Sequence, residues 1–102
     1  MNKAIIQGNI STNIKYNRNK KEKEKSYARF NVAVNNKENV TFLPCVAFGN
    51  TAEFINNYFD KGNKILIEGR MSYNSEKDDE GNWSNYFSII VEKAYFCERK
   101  SE

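Results

Sequence analysis

The segment that most constrains this chain is residues 40–48, VTFLPCVAF, which is predicted as a β-strand with apolar side chains on both faces. Successive side chains on a strand point to opposite sides, so Phe42 and Phe48 share one face while Cys45 and Ala47 share the other. In a small β-barrel only the inward face belongs to the core. The outward face therefore needs its own explanation, either core or subunit packing or the binding of a ligand.

A proline inside this segment adds a second constraint. Pro44 has no N–H to donate to a neighbouring strand, which indicates an edge position, a bulge, or a site where an N–H would face away from a partner. The clearest strand precedes it at residues 27–35, where apolar and polar residues alternate strictly. Further strands are predicted at residues 3–10 with a bulge or bend at Gly8, at 64–73 with a bend at Gly69, and at 86–96. Polar loops are predicted at residues 17–26, 35–39 and 74–83.

One helix is predicted between the third and fourth strands. Asn50 to Glu53 has the form of a capping box, and Lys61-Gly62 has the form of a cationic last turn with a left-handed C-cap. An apolar stripe at helical spacing lies between them and comprises Thr51, Phe54, Ile55, Tyr58 and Phe59. Three strands, one helix and two strands predict an all-β domain over residues 1–102, a five-stranded Greek-key OB-fold barrel with one short helix.

Composition excludes several classes of function. The chain has 102 residues, no His, and two Cys, Cys45 and Cys97, far apart in sequence, so neither a zinc site nor a common acid–base catalyst is expected. No glycine-rich phosphate loop is present, and we predict neither enzyme activity nor a cofactor. No apolar run reaches the roughly 18 residues of a membrane span, and residues 1–4 lack a signal-peptide core, so a cytoplasmic protein is expected.

Aromatic and basic residues are the candidates for a binding site, because bases of single-stranded nucleic acid stack on exposed rings and phosphates bind cations. The net charge of +3 is too small to indicate this by itself. The rings predicted to stack are Phe42, Phe48, Tyr73, Trp83 and Tyr86. The cations predicted to meet phosphates are Lys15, Arg29, Lys61 and Arg70. The alternatives are structural packing for the rings and a merely solubilising loop for the lysines of residues 17–26. The acidic run at residues 78–80 is interpreted as a solvated turn.

The order of these segments resembles the bacterial and phage single-stranded-DNA-binding proteins. The resemblance is carried by NKAIIQGNI at residues 2–10, FNVAV at 30–34, FLPCVAFGNTAE at 42–53, Tyr58, Lys61-Gly62 and ILIEGRM at 65–71. It implies an OB-fold that binds single-stranded DNA without sequence specificity in replication, recombination or repair, with bases stacked on Phe42 and Phe48. It also implies a homo-oligomer, a tetramer in preference to a dimer, and no cofactor.

The chain also departs from that family. Glu38 and Glu76 fall near two positions where family members often have Trp, so those contacts are not carried over and Tyr73 or Trp83 is the expected substitute. The flexible linker and acidic tip of the family do not follow the barrel, which predicts a trimmed form or a short phage, plasmid or mobile-element form without tail-recruited replication partners. Two alternatives remain open at this point, an interaction module of a primosome-like assembly and a single-stranded RNA-binding protein.

Overall fold

Six strands and one helix make up residues 1–97, the part of the chain that the computed structural model describes. In chain order these are β1 (Ala4–Ile10), β2 (Lys15–Asn17), β3 (Tyr27–Asn36), β4 (Asn39–Phe48), α1 (Gly49–Tyr58), β5 (Lys64–Lys77) and β6 (Trp83–Phe96), with a 3-10 turn at Lys23–Lys25 before β3. Residues 98–102, on which the expectation about a missing tail falls, lie outside the described residues.

The strands form one sheet that closes into a barrel. Their order is β1-β5-β6-β4-β3-β2, and β1 also pairs with β3. The β3–β4 and β5–β6 hairpins are antiparallel, whereas β4 and β6 meet in a short parallel ladder in which Cys45–Ala47 pair with Ile89–Val91. The predicted five-stranded barrel with a helix before its fourth long strand is confirmed. The sequence interpretation missed β2, which pairs with β3 beyond the end of β1.

The core lies inside this barrel, and the alternation of β3 supplies much of it. Ala28, Phe30 and Val32 point inward and are buried, while Arg29 between them is exposed. Every second residue of β3 points inward, because successive side chains on a strand point to opposite faces. The other strands, α1 and the residue that follows it complete the core with Ile10, Cys45, Ala47, Ala52, Ile55, Phe59, Ile65, Ile67, Ile89 and Val91.

Two glycines allow the strands to approach each other closely. A Cβ atom on Gly69 would lie 2.0 Å from the Ile90 carbonyl oxygen, and the β5–β6 register shifts between Glu68 and Gly69, which confirms the predicted bend. A Cβ on Gly8 would lie 2.4 Å from the Ala33 carbonyl oxygen. The register of β1 with β5 runs on without a shift through Gly8, so the bulge suggested there is not observed. Glycine is needed at Gly8 for the crossing of β1 over β3.

The predicted capping box at Asn50 is wrong. The helix α1 begins two residues earlier than a cap at Asn50 requires, with Phe48 as the N-cap and no side-chain capping bond. Gly49 sets this start because it has a positive φ of 57° and donates its N–H to the Ser26 carbonyl at 2.8 Å. Glu53, the expected partner in the box, instead forms a surface ion pair with Lys23 at 3.4 Å.

The predicted end of the helix is also corrected. The helix α1 ends at Tyr58, and the N–H of Phe59 donates to the Ile55 carbonyl at 3.0 Å. Lys61 and Gly62 lie in the next turn, so Gly62 has the expected left-handed backbone, with φ 96°, but does not cap the helix. Within residues 1–97, no helix has both the length and the apolar composition needed to cross a membrane.

The β5–β6 hairpin is longer than predicted. The expected loop at residues 74–83 contains four further residues of β5 and the first residue of β6, so the connecting turn is confined to residues 78–82. This turn is organised by Asp78, whose carboxylate accepts the backbone N–H groups of Glu80 at 2.9 Å and Asn82 at 2.8 Å. Part of the acidic run therefore shapes the turn of a long arm that extends beyond the barrel.

Candidate nucleic-acid interface

The outward face of the β3–β4 hairpin differs between its two strands. The side chains of β4 on this face are aromatic and apolar, whereas most of those of β3 are polar. Phe42 and Phe48 lie on this face and are 60% and 47% exposed. Tyr27 pairs with Phe48 and Arg29 pairs with Val46, so these side chains are neighbours on one surface. The outward apolar face of residues 40–48 therefore does not pack against the core of this chain.

Pro44 occupies this face just before the residues of β4 that pair with β6. At Pro44 the strand is paired with Asn31 of β3, and the ladder with β6 begins at Cys45. Of the three explanations predicted for the proline, the third fits: an N–H at this position would face away from β3, and the ladder with β6 begins only at Cys45, so no ladder hydrogen bond is lost.

A groove of about 510 Å³ lies between the β3–β4 hairpin and the β5–β6 arm. We call it the outer groove. The middle strands β4 and β6 form its floor, whereas β3 and β5 form its two walls. Its lining residues are Arg29, Phe30, Asn31, Pro44, Cys45, Val46, Phe48, Asn74, Glu76, Tyr86, Phe87, Ser88 and Ile90. Two residues predicted to stack on bases, Phe48 and Tyr86, thus line the same groove as Arg29, which is predicted to bind phosphate.

A second depression of about 510 Å³ adjoins the outer groove and carries three cations. Arg29 lines both, and Lys15 and Lys61 line the second. Lys15 lies directly opposite Arg29 in the β2–β3 ladder. Within residues 1–97, none of the three forms an ion pair with a carboxylate. Like charges placed opposite each other repel, so a bound anion lowers the energy of this cluster.

Aromatic contact and backbone hydrogen bonds position these cations. The guanidinium of Arg29 lies 5.0 Å from the centre of the Tyr27 ring, a cation–π contact, and the Tyr27 hydroxyl accepts a hydrogen bond from Asn17 Nδ2 at 3.2 Å. The Gly62 N–H donates to the Ile10 carbonyl at 2.7 Å, which fastens the turn carrying Lys61 to the end of β1. Sequence reasoning missed Tyr27, although its place in the alternation of residues 27–35 puts it on the outward face.

Four of the predicted site residues, Phe42, Tyr73, Trp83 and Arg70, lie outside both depressions. Tyr73 pairs with Phe87, and Trp83 pairs with Lys77, which places both aromatic residues on the face of the arm opposite Tyr86. Arg70 donates to the Glu92 carboxylate at 3.0 Å. Five of the nine predicted residues therefore line the two depressions. Phe42, two positions before Pro44, shares the outward face of β4 with Phe48.

The cysteine beneath the groove is buried and chemically quiet. Burial raises the pKa of Cys45 from 9.0 to about 12, because the apolar surroundings disfavour the thiolate. Its Sγ lies 3.5 Å from the Leu43 carbonyl oxygen. A nucleophilic role for this thiol is therefore not supported by its surroundings.

A closed five-stranded barrel whose open outer face carries aromatic rings beside the cations Lys15, Arg29 and Lys61 defines the class of OB-fold binding proteins. The sequence profile described as the single-strand binding protein family matches residues 1–97. The chain belongs to this family.

Individual relatives agree with this assignment. A single-stranded DNA-binding protein of Fusobacterium nucleatum is 34% identical over 112 residues, covering 99% of this chain and 70% of the relative. A single-stranded DNA-binding protein of Onion yellows phytoplasma is 31% identical over 103 residues, covering 100% of this chain and 99% of the relative. The crystal structure of Rim1, a mitochondrial single-stranded DNA binding protein from S. cerevisiae, matches with a TM-score of 0.76 at 15% identity over 94% of both chains. That structural likeness confirms the OB-fold.

Proposed function

We propose that this chain binds single-stranded DNA without reading a defined sequence and protects it during replication, recombination or repair. The observation that carries the proposal is the pair of exposed rings, Phe42 and Phe48, on the face of β4 that leads into a groove beside the unpaired Arg29. Membership of the single-strand binding protein family supports it. A module for protein contacts alone would not require unpaired cations beside exposed rings.

The proposed mechanism separates bases from phosphates. Bases stack on Phe42, Phe48 and Tyr86, at about 1–3 kcal/mol per base, and every base has a π-face, so stacking selects no sequence. Phe42 and Phe48 are six residues apart on one strand, about 20 Å, so they serve different bases. Phosphates bind the cationic cluster of Arg29, Lys15 and Lys61.

Tyr73, Trp83 and Arg70 have a different place in this proposal. All three lie outside the outer groove, and a strand held within the groove does not reach the face that bears Tyr73 and Trp83. The predicted contacts of Tyr73 and Trp83 with DNA require a strand that passes around the arm, whereas Arg70 lies on the groove side of the arm but is engaged by Glu92. We therefore assign the primary contacts to Phe42 and to the five predicted residues that line the groove and its adjoining depression.

Fluorescence anisotropy of a labelled dT oligonucleotide tests the proposal without relying on Trp83. We expect binding at low salt that weakens as salt rises, with a slope of about −0.7 in log K per phosphate neutralised. Phe42→Leu and Phe48→Leu keep apolar cover on β4 but remove the rings, so both are expected to weaken binding. Equal binding to a duplex of the same length would refute the proposal, and tighter binding to the matched RNA would favour the RNA-binding alternative.

We further propose that the protein acts as a homo-oligomer in the cytoplasm, a tetramer in preference to a dimer, with neither enzyme activity nor a cofactor. The support is the second face of the β5–β6 arm, where Met71, Tyr73 and Trp83 are exposed apolar side chains. One strand shared by several barrels gains affinity through effective concentration. Molecular mass from light scattering, with and without dT oligonucleotides, tests this, and a monomer under both conditions would refute it.

A further inference from the structure

The two walls of the outer groove carry opposite chemistry. Arg29 and Asn31 stand on the β3 wall, whereas Asn74 and Glu76 stand on the β5 wall. The floor strands β4 and β6 separate them. Glu76 is therefore a carboxylate inside a groove proposed for a polyanion, and it faces the groove from the side away from the cationic cluster.

This arrangement fixes the orientation of a bound strand. A phosphate on the β5 wall would meet the like charge of Glu76, whereas a phosphate on the β3 wall meets the cationic cluster. A DNA backbone on the β3 side, with its bases extending over the floor toward β5, would avoid that repulsion. The edges of those bases, rather than the phosphates, then meet Glu76 and Asn74.

The carboxylate is also placed beside a stacking ring. The Tyr86 hydroxyl lies 3.4 Å from Glu76 Oε1 and donates toward it, a long and weak hydrogen bond that keeps the two side chains adjacent. A base stacked on Tyr86 consequently presents its edge close to the carboxylate. An ionised carboxylate only accepts hydrogen bonds.

From this geometry we propose that Glu76 gives the groove a preference for bases that carry an exocyclic amino group over thymine; the inference rests on the proposed DNA binding. Cytosine and adenine offer N–H donors at N4 and N6, which a carboxylate accepts, whereas thymine offers the O4 acceptor at the corresponding position. Cytosine and thymine are similar in size, so the contrast between them isolates the hydrogen bond from stacking.

The test compares short dC and dT oligonucleotides of about 15 nucleotides, a length within the range of an OB-fold site. Mildly alkaline buffer keeps cytosine neutral. For the unaltered protein, the ratio of the dT to the dC dissociation constant should be about two to ten times larger than for E76Q, the effect of one hydrogen bond to the base. The amide of Gln accepts from cytosine and also donates to thymine O4, so the change should appear mainly as tighter dT binding.

E80Q is the matched control because it removes one negative charge from the turn of the same arm, outside the outer groove. It should tighten dC and dT binding equally. The inference is overturned if E76Q leaves the ratio unchanged, or changes it no more than E80Q does, while the protein still binds both strands. Failure of the unaltered protein to bind either strand at low salt would overturn the proposed function itself. Circular dichroism melting confirms that both variants are folded.

Discussion

Replacing Tyr86 with Ala should weaken single-stranded DNA binding, whereas the same change at Tyr73 should not. The two tyrosines lie on opposite faces of one arm, Tyr86 in the outer groove and Tyr73 outside it. Tyr73 is the more exposed of the two, at 71% against 45%. If exposure alone determined stacking, Tyr73 would be the more important ring, so the pair separates position from exposure.

The expected magnitude follows from the exposed part of the ring. Base stacking on an aromatic side chain contributes about 1–3 kcal/mol, and because a little under half of Tyr86 is exposed we take about 1–1.5 kcal/mol. This corresponds to a dissociation constant about five to twelve times larger for Tyr86→Ala. Tyr73→Ala should remain within about a factor of two, because surface substitutions change free energies by no more than about 0.5 kcal/mol.

The assay is anisotropy of a short labelled dT oligonucleotide at fixed salt, with the molecular mass of each variant measured in parallel. The mass matters because Tyr73 lies on the face that we propose for self-association. Chemical denaturation checks that neither variant has lost the fold. A loss of affinity in Tyr73→Ala that equals or exceeds the loss in Tyr86→Ala, at unchanged mass, would refute the assignment of the outer groove as the binding surface.

Four further predictions concern charge, packing, stability at high pH and thiol reactivity. Arg29→Gln should reduce the magnitude of the salt slope of DNA binding by about 0.7. Arg70→Gln should leave the slope unchanged, because the Arg70 guanidinium is engaged by the Glu92 carboxylate outside the groove. Equal slopes in both variants would contradict this. Gly69→Ala should lower the free energy of unfolding by about 1–3 kcal/mol, because the added Cβ would clash with the Ile90 carbonyl oxygen of β6. Urea denaturation measures this, and an unchanged midpoint would contradict the close approach of the two strands. Burial raises the pKa of Cys45 to about 12, so the folded chain keeps a proton that the unfolded chain releases above about pH 9, and stability should fall as pH rises from 9 toward 12. A thiol reagent at neutral pH should modify the half-buried Cys97 in the folded protein and Cys45 only after unfolding; prompt modification of both would contradict this.

The parts of the fold that follow from the sequence are those with a strong apolar period. In β3 the alternation of Ala28, Phe30 and Val32 identifies both the strand and its inward face, and Gly69 correctly marks the bend of β5. The start of α1 was missed because it depends on a hydrogen bond from Gly49 to the Ser26 carbonyl. That contact joins distant parts of the chain, and a local capping pattern does not contain it.

The β5–β6 arm shows why part of the site was not predictable. Residues 74–77 are polar, and they form a strand only because β6 pairs with them outside the barrel. Polar residues on a solvated arm lack the apolar period on which strand prediction relies. Without the register of this hairpin, the opposite faces of Tyr73 and Tyr86 are not evident, and Trp83 is read as a loop residue beside them.

The parallel ladder between β4 and β6 is short compared with the two long hairpins that it joins. It covers Cys45–Ala47 and Ile89–Val91, whereas the β3–β4 hairpin is paired along its whole length. A DNA strand bound in the outer groove, as we propose, would contact both hairpins and so bridge this ladder. Ligand binding stabilises the form that binds, and here that stabilisation falls on a ladder of only three residue pairs. Hydrogen exchange at Cys45–Ala47 should therefore slow on DNA binding more than exchange at the distant end of β1.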